Sequence, residues 1–158
     1  AEEQFKSGGI YTSVGNYDHT EMLLLVKQLS EATRIPAVDL VEVYGEHLFS
    51  RFLSRYPAFF EEIGNSFQFL EGIEAHIHKE VRMLYPEANL PTFDCFREGE
   101  DVLIMEYASA RPFAHLAHGL IKGCAAHYNE SIEIDMQLKP PENGTRATFK
   151  LKRNEATN

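Results

Sequence analysis

Apolar residues recur at helical spacing over three long stretches in the first half of the chain. The stretches are residues 18–33, 37–54 and 66–85. In each, the apolar positions fall every three to four residues, so that they form one face of a helix. Ser66 opens the third stretch as a possible cap, and Pro86 follows it, where a helix cannot continue. The first half therefore predicts helices that bury one face.

In the second half, apolar and polar residues alternate over short stretches, which is the period of a strand with one buried face. The stretches are residues 92–96, 101–107, 131–138 and 147–152. A helical pattern rich in small residues, 112–128, separates the second from the third. Asn143 and Gly144 lie between the last two strands, and this pair favours a tight hairpin turn. The order predicts an α+β fold, in which helices pack with an antiparallel sheet.

The size of the chain fits one globular domain. It has 158 residues, of which 44% are hydrophobic, and a chain of this length buries roughly two thirds of its unfolded surface. We expect a single domain over residues 1–158. The polar residues 1–9 are expected to form a flexible lead-in, and residues 153–158 a short tail.

The charge of the chain limits the classes of partner. The net charge is −9 and the isoelectric point is about 5.2, whereas nucleic acids and anionic membrane surfaces attract clustered Lys and Arg. No stretch approaches the roughly 18 apolar residues of a membrane span. We therefore expect no nucleic acid, no membrane, and a cytoplasmic location.

Motifs for nucleophilic catalysis or phosphate binding are absent from the sequence, and its acidic residues are spread as on a solvated surface. His115 and His118 lie one helical turn apart and could chelate a metal. With no acidic residue or cysteine at ligand spacing nearby, a solvated face is favoured over a metal site there. Cys95 and Cys124 are isolated and are expected to be free thiols.

His78 lies at the edge of the apolar arc of the third predicted helix. At 100° per residue it borders Phe67, Val81 and Tyr85, whereas His76 points away from the main arc. Neutral imidazole is a common metal ligand. From its position alone, however, a buried and hydrogen-bonded core histidine is favoured over a ligand.

Three hydrogen-bonding side chains follow the second predicted strand, in the sequence YASAR. Tyr107, Ser109 and Arg111 occupy alternate positions, so an extended chain would place them on one face. The guanidinium is a planar fork for a carboxylate or phosphate, and the two hydroxyls can complete its hydrogen bonds. An anion-binding site and a plain strand end with a helix cap are equally favoured by the residues alone.

With these residues in view, the chain resembles the haem nitric oxide/oxygen binding (H-NOX, or HNOB) family of sensor domains. Tyr107, Ser109 and Arg111 fit the family's YxSxR signature, which binds the haem propionates. IHKEVRMLYPEANLP resembles its proximal helix and the exit from it, with His78 at the haem-ligand position and Pro91 thirteen residues further along. The likeness covers about residues 9–152. It begins after the family's first N-terminal helices, which we expect to be missing.

The resemblance implies a haem b cofactor and assigns its surroundings. His78 would ligate the iron through Nε2, and Pro91 would press on the macrocycle and distort it. Further residues at positions where the family lines its pocket are Phe49, Phe52, Leu116, Leu120 and Leu48.

The resemblance also implies a choice of gas. Family members that hold O₂ carry a tyrosine on the helix after YxSxR, where this chain has Leu116, and Leu48 occupies another position that is polar in those members. Without a hydrogen-bond donor, bound O₂ lacks stabilisation, whereas NO needs little. We therefore expect a sensor for NO, with CO as a further ligand.

In the family, NO weakens the bond between iron and histidine, the proximal helix moves, and a partner enzyme responds. The partner expected here is a histidine kinase or a cyclic-di-GMP enzyme, that is, a diguanylate cyclase or phosphodiesterase. The domain itself is expected not to be an enzyme. Two other interpretations stay open at this point: a haem-free interaction module of the same fold, and a small haem or metal enzyme that uses the His-rich helices.

Overall fold

A computed structural model describes residues 5–12 and 15–154. The chain divides into two compact units, residues 1–40 and 41–158, which are described in turn. Residues 1–4 of the expected lead-in and 155–158 of the expected tail lie outside the described residues.

The first unit contains helix α1, His19–Thr33, which begins where the Asp18 carboxylate accepts a hydrogen bond from the Thr20 amide at 3.0 Å. Glu21 in its first turn is buried. Its carboxylate accepts hydrogen bonds from the Ser7 hydroxyl, the Ser7 amide and the Tyr11 hydroxyl. Ser7, in the expected lead-in, is therefore hydrogen-bonded to α1. These bonds satisfy a carboxylate that is shielded from water.

Helix α2, Ala37–Arg55, begins in the first unit and continues into the second. A short 3₁₀ helix at Pro57–Phe60 follows it. Helix α5, Ala114–His127, lies between the second and third strands. These bounds agree with the helical patterns of the sequence to within two residues. Within the described residues, the helices are all too short or too polar to cross a membrane.

The third predicted helix is divided rather than continuous. It consists of α3, Ser66–Glu71, a π-helical segment, Ile73–His78, and α4, Lys79–Leu84. The expected cap was wrong by one residue. Asn65 accepts the hydrogen bond from the Gln68 amide at 2.9 Å, whereas Ser66 is already helical and its hydroxyl bonds to Glu130. Apolar periodicity cannot distinguish π from α geometry over one turn.

The sheet has four antiparallel strands in the order β1-β2-β4-β3. They are β1, Thr92–Arg97; β2, Val102–Ala108; β3, Ile132–Leu138; and β4, Arg146–Arg153. Arg153, expected in the tail, is thus the last residue of β4. The prediction of an α+β fold, with helices packed with an antiparallel sheet, is confirmed.

The core forms where α3 and α5 pack on one face of the central strands. Met105 pairs with Phe149 and Leu103 with Leu151 across β2 and β4, and all four side chains are fully buried. Such cross-strand pairs stabilise a sheet by burying apolar area on a shared face. The central strands are therefore the rigid base on which the surrounding helices are held.

Helices α2 and α5 cross at very short distance. A Cβ atom at Gly119 would lie 1.9 Å from the carbonyl oxygen of Glu42, and one at Gly123 would lie 2.8 Å from the Phe49 Cβ. Only glycine allows the two backbones to approach in this way. The crossing therefore fixes the position of the side chains on α2 relative to those on α5.

Candidate functional site

The second unit contains a cavity of about 830 Å³. Its wall is built from α2, the divided helix, β1, β2 and α5. Every site residue named from the sequence lies on this wall: Leu48, Phe49, Phe52, His78, Pro91, Tyr107, Ser109, Arg111, Leu116 and Leu120. The volume lies within the range of about 300–1,000 Å³ for small-molecule and cofactor sites.

His78 is the last residue of the π-helical segment and is 8% exposed. Its Nδ1 lies 2.8 Å from Oε1 of Glu74. A carboxylate only accepts hydrogen bonds, so the hydrogen sits on Nδ1, and in the neutral ring Nε2 then carries the free lone pair. Within the described part of the chain, Nε2 has no hydrogen-bond partner. The position thus combines the buried, hydrogen-bonded histidine expected from the pattern with a ring nitrogen available for a ligand.

Sequence reasoning did not anticipate Glu74. Its Oε1 also accepts a hydrogen bond from the Phe93 amide at 3.1 Å, and Oε2 lies 3.5 Å from Nη2 of Arg82. The spacing of four residues to His78 was the available signal, because side chains at i and i+4 meet on one helix face. The hydrogen bond from the Phe93 amide to Glu74 was not visible in the sequence, since it depends on how β1 packs against the divided helix.

The strand that carries Tyr107 ends at Ala108, so strand alternation does not extend to Ser109 and Arg111. The chain instead turns there: the Arg111 amide donates to the Ser109 hydroxyl at 3.1 Å, and the Phe113 amide donates to the Arg111 carbonyl at 2.9 Å. All three side chains still line the cavity. The expected grouping therefore holds, but the turn produces it rather than an extended backbone.

Tyr107 and Arg111 differ in their surroundings. Burial raises the pKa of the Tyr107 phenol, and the neighbouring Ser109 hydroxyl and Phe113 amide oppose that rise only in part. The phenol is therefore a neutral hydrogen-bonding group at physiological pH. The Arg111 guanidinium forms no hydrogen bond or ion pair with any other described residue, so its charge is available to an anion.

Much of the remaining wall is apolar, although Arg51, Ser54, Arg55, Tyr56 and Asn89 also line the cavity. Two helices supply the apolar side chains named from the sequence. Leu48, Phe49 and Phe52 lie on α2, and Leu116 and Leu120 lie on α5. Phe49 makes edge contacts with Phe60 and Phe69, with ring centroids 5.6 and 5.7 Å apart. Aromatic packing of this kind holds the wall in one conformation.

Pro91 immediately precedes β1, on the side of the cavity that also carries Phe93. The ring of Phe93 lies 6.1 Å from that of His78 and 5.4 Å from that of Tyr107. Phe93 therefore connects the histidine to Tyr107 on β2, although the sequence analysis did not single it out. Its place in an alternating strand was the only signal.

The expected solvated face around His118 was wrong. Its side chain is 15% exposed, and Nδ1 lies 3.0 Å from Oε2 of Glu42 without hydrogen-bonding geometry. Burial lowers the pKa of His118, and the Glu42 charge opposes this. The close crossing of α2 and α5 encloses the residue, which a helical pattern alone cannot show. Among residues 5–12 and 15–154, no three His, Cys, Asp or Glu side chains are grouped to hold a metal ion.

Together, the lining has the donor set that suits haem. A single histidine nitrogen is a usual axial ligand for haem iron, much of the wall is apolar, and Arg111 with two hydroxyls can bind carboxylates. These features fit one planar apolar group with an anionic edge and a metal centre.

Comparison with known proteins also supports a haem-binding domain. The pattern of the haem-NO-binding family, HNOB, matches residues 1–136. The soluble guanylate cyclase gcy-33 of Caenorhabditis elegans is 32% identical over 130 residues. That match covers 79% of this chain but 13% of the cyclase, so the chain spans only a small part of that relative.

Solved structures agree over nearly the whole chain. The Fe(II) unliganded H-NOX protein of K. algicida superimposes with a TM-score of 0.90 at 37% identity, over 98% of this chain and 83% of that one. The IWP-051-bound H-NOX of Shewanella woodyi in the Fe(II)CO state gives 0.81 at 39% identity, over 98% and 82%. The chain therefore belongs to the haem-NO-binding (H-NOX) family, whose domains are haem-based gas sensors.

Proposed function

We propose that the cavity binds haem b and that His78 would hold its iron. The observation that carries this proposal is the convergence of His78 and the Tyr107-Ser109-Arg111 group on one apolar cavity. When bound, the haem would supply an iron atom that takes a diatomic gas. The protein would supply the ligand nitrogen, the orientation and a site shielded from water.

Each group of residues has a separate task in this proposal. Nε2 of His78 would hold the iron, because Nδ1 is already engaged with Glu74. Arg111 would pair with a propionate through charge-assisted hydrogen bonds, and the hydroxyls of Tyr107 and Ser109 would donate to the same anionic edge. Pro91 would contact the macrocycle from its position just before β1.

The apolar side chains set the choice of gas. Leu48 and Leu116 offer no hydrogen to a bound ligand, and O₂ depends on such a donor far more than NO or CO does. We therefore propose that the domain senses NO, that it also binds CO, and that it excludes O₂. The CO-ligated state of the Shewanella woodyi relative is consistent with a pocket of this kind.

We further propose that the domain signals to a partner enzyme rather than catalysing a reaction itself. His78 closes the π-helical segment that connects α3 and α4, so any change at its Nε2 acts directly on a helix. A histidine kinase or a cyclic-di-GMP enzyme is the partner we propose.

An absorption spectrum tests the proposal. The purified protein is reduced, supplied with haem, and exposed separately to NO, CO and air. We expect a Soret band that shifts with NO and with CO and does not form an oxygenated species in air. A stable oxygenated form would overturn the gas selectivity. The absence of any Soret band after haem is added would replace the sensor by a haem-free interaction module of the same fold.

A further inference from the structure

Glu74 is not part of the haem contacts proposed above, yet it is the residue most directly joined to His78. We propose that Glu74 is a positioning residue: it fixes the tautomer and orientation of His78 and strengthens Nε2 as a donor to iron. This inference rests on the proposed function, because it describes how the ligand of that site is tuned.

The hydrogen bond between His78 and Glu74 selects one tautomer of the imidazole. The Glu74 carboxylate accepts the hydrogen of His78 Nδ1 at 2.8 Å, and a carboxylate accepts such a hydrogen more strongly than a neutral acceptor does. In the neutral imidazole, Nε2 is therefore the nitrogen with the free lone pair. Without this acceptor, the neutral ring could place its hydrogen on Nε2, and Nε2 would then have no lone pair for a metal.

Glu74 is itself held in place by neighbouring residues. Its Oε1 is shared between His78 and the amide of Phe93 on β1, at 2.8 and 3.1 Å. Its other oxygen lies 3.5 Å from the guanidinium of Arg82 on α4. The carboxylate is thus anchored to the sheet and to the following helix, so that it fixes the ring in space as well as in protonation. Its side chain is 33% exposed, which leaves the bond only partly screened by water.

The Glu74 carboxylate would also affect a metal bound by His78. A carboxylate on the far nitrogen of a ligating histidine increases the basicity of the ligand. A more basic Nε2 donates more charge to iron, stabilises the oxidised form and strengthens the bond to the metal. Glu74 would then set how firmly His78 is held, and so how readily the helix responds when a gas binds.

Two substitutions separate the charge of Glu74 from its role as an acceptor. Glu74→Gln keeps an oxygen that can accept from Nδ1 but removes the negative charge, whereas Glu74→Ala removes both. Glu80→Gln is the matched control, because Glu80 lies on α4 and is exposed. The haem-loaded proteins are compared by resonance Raman spectroscopy of the gas-free ferrous form and by reduction potential.

We expect Glu74→Gln to lower the frequency of the iron–histidine stretch and to raise the reduction potential. Glu74→Ala should do both and also lose haem affinity by about 10- to 100-fold, the usual cost of removing such a partner. Glu80→Gln should match the original protein in every measurement.

The outcomes distinguish this inference from the proposed function. An unchanged stretch and potential in both Glu74 variants would overturn the positioning role, while the haem site at His78 would stand. If the original protein binds haem but shows no iron–histidine stretch, His78 is not the ligand, and both proposals fail. A graded change from Gln to Ala supports the inference.

Discussion

At the scale of single residues, the cavity combines a charged edge, a buried histidine and a largely apolar wall. Arg111 is the cationic member of the edge, and no described residue neutralises it. Charge that is left unpaired beside an apolar cavity is costly unless a ligand uses it. This position supports the proposal that Arg111 binds a haem propionate.

Arg111→Ala should weaken haem binding by about 10- to 100-fold, since a hydrogen bond to a charged group contributes about 1.5–3 kcal/mol. The rate of haem transfer to an apo-globin acceptor measures the loss. Arg146→Ala, at an exposed position on β4, is the control and should leave the rate unchanged. Equal rates for both variants would contradict the proposed propionate contact.

Leu116→Tyr should allow an oxygenated form to persist in air, because the added hydroxyl can donate to bound O₂. Leu116→Phe is the matched control, since it adds the same ring without the hydroxyl. Absorption spectra of the reduced variants in air decide the matter. If neither variant, or both, holds O₂, the hydroxyl at this position does not determine the choice of gas.

At the scale of elements, the crossing of α2 and α5 determines how the apolar wall is assembled. Gly119 and Gly123 bring the two backbones together, and Leu48, Phe49, Leu116 and Leu120 are carried on the same helices. A change at the crossing should therefore act on stability first, and on the cavity as a consequence.

Gly119→Ala should reduce the free energy of unfolding by about 1–3 kcal/mol, because the new methyl group would collide with the Glu42 carbonyl and force the helices apart. Gly64→Ala is a suitable control, since its nearest neighbour would be a flexible Gln68 side-chain oxygen at 3.9 Å. Urea unfolding measures both. A Gly119 variant as stable as the control would show that the crossing tolerates separation.

The same crossing predicts a dependence on pH. The folded-state pKa of His118 lies below its ordinary value of 6.5, mainly because of burial. The unfolded chain therefore takes up the proton more readily, and the free energy of unfolding should decline as the pH falls from 6.5 toward the folded-state value.

Urea unfolding at pH 7.5 and 5.5 measures this decline, and His118→Gln should make it smaller. The exposed His76 provides the control, since His76→Gln should leave the decline as it is. An identical pH dependence in the original protein and the His118 variant would assign the effect to other groups.

At the scale of the whole molecule, the sequence predicts the α+β fold and the bounds of most elements, because amphipathic periods of 3.6 and 2 distinguish helices from strands. It misses the division of the third helix, since a single π-helical turn is too short to change the apolar period of the whole helical stretch. It also misplaces His118, whose burial depends on two helices distant in the chain.

The site shows the same limit. The residues at the edge of the cavity were found through the family resemblance, and the residues alone left Tyr107, Ser109 and Arg111 undecided. Glu74 was missed, although its spacing from His78 was visible, because its anchoring depends on the docked strand β1. The remaining part of the site therefore depends on tertiary contacts, which local sequence patterns do not show.

The central claim is that His78 holds the iron of a haem bound in this cavity. The most direct test compares the ferrous absorption spectra of the original protein and His78→Gly, each loaded with haem, before and after imidazole is added. We predict that His78→Gly loses the spectrum of a histidine-ligated haem and that imidazole restores it, with the fold largely retained by circular dichroism. A haem spectrum in His78→Gly that equals the original before imidazole is added would contradict the claim.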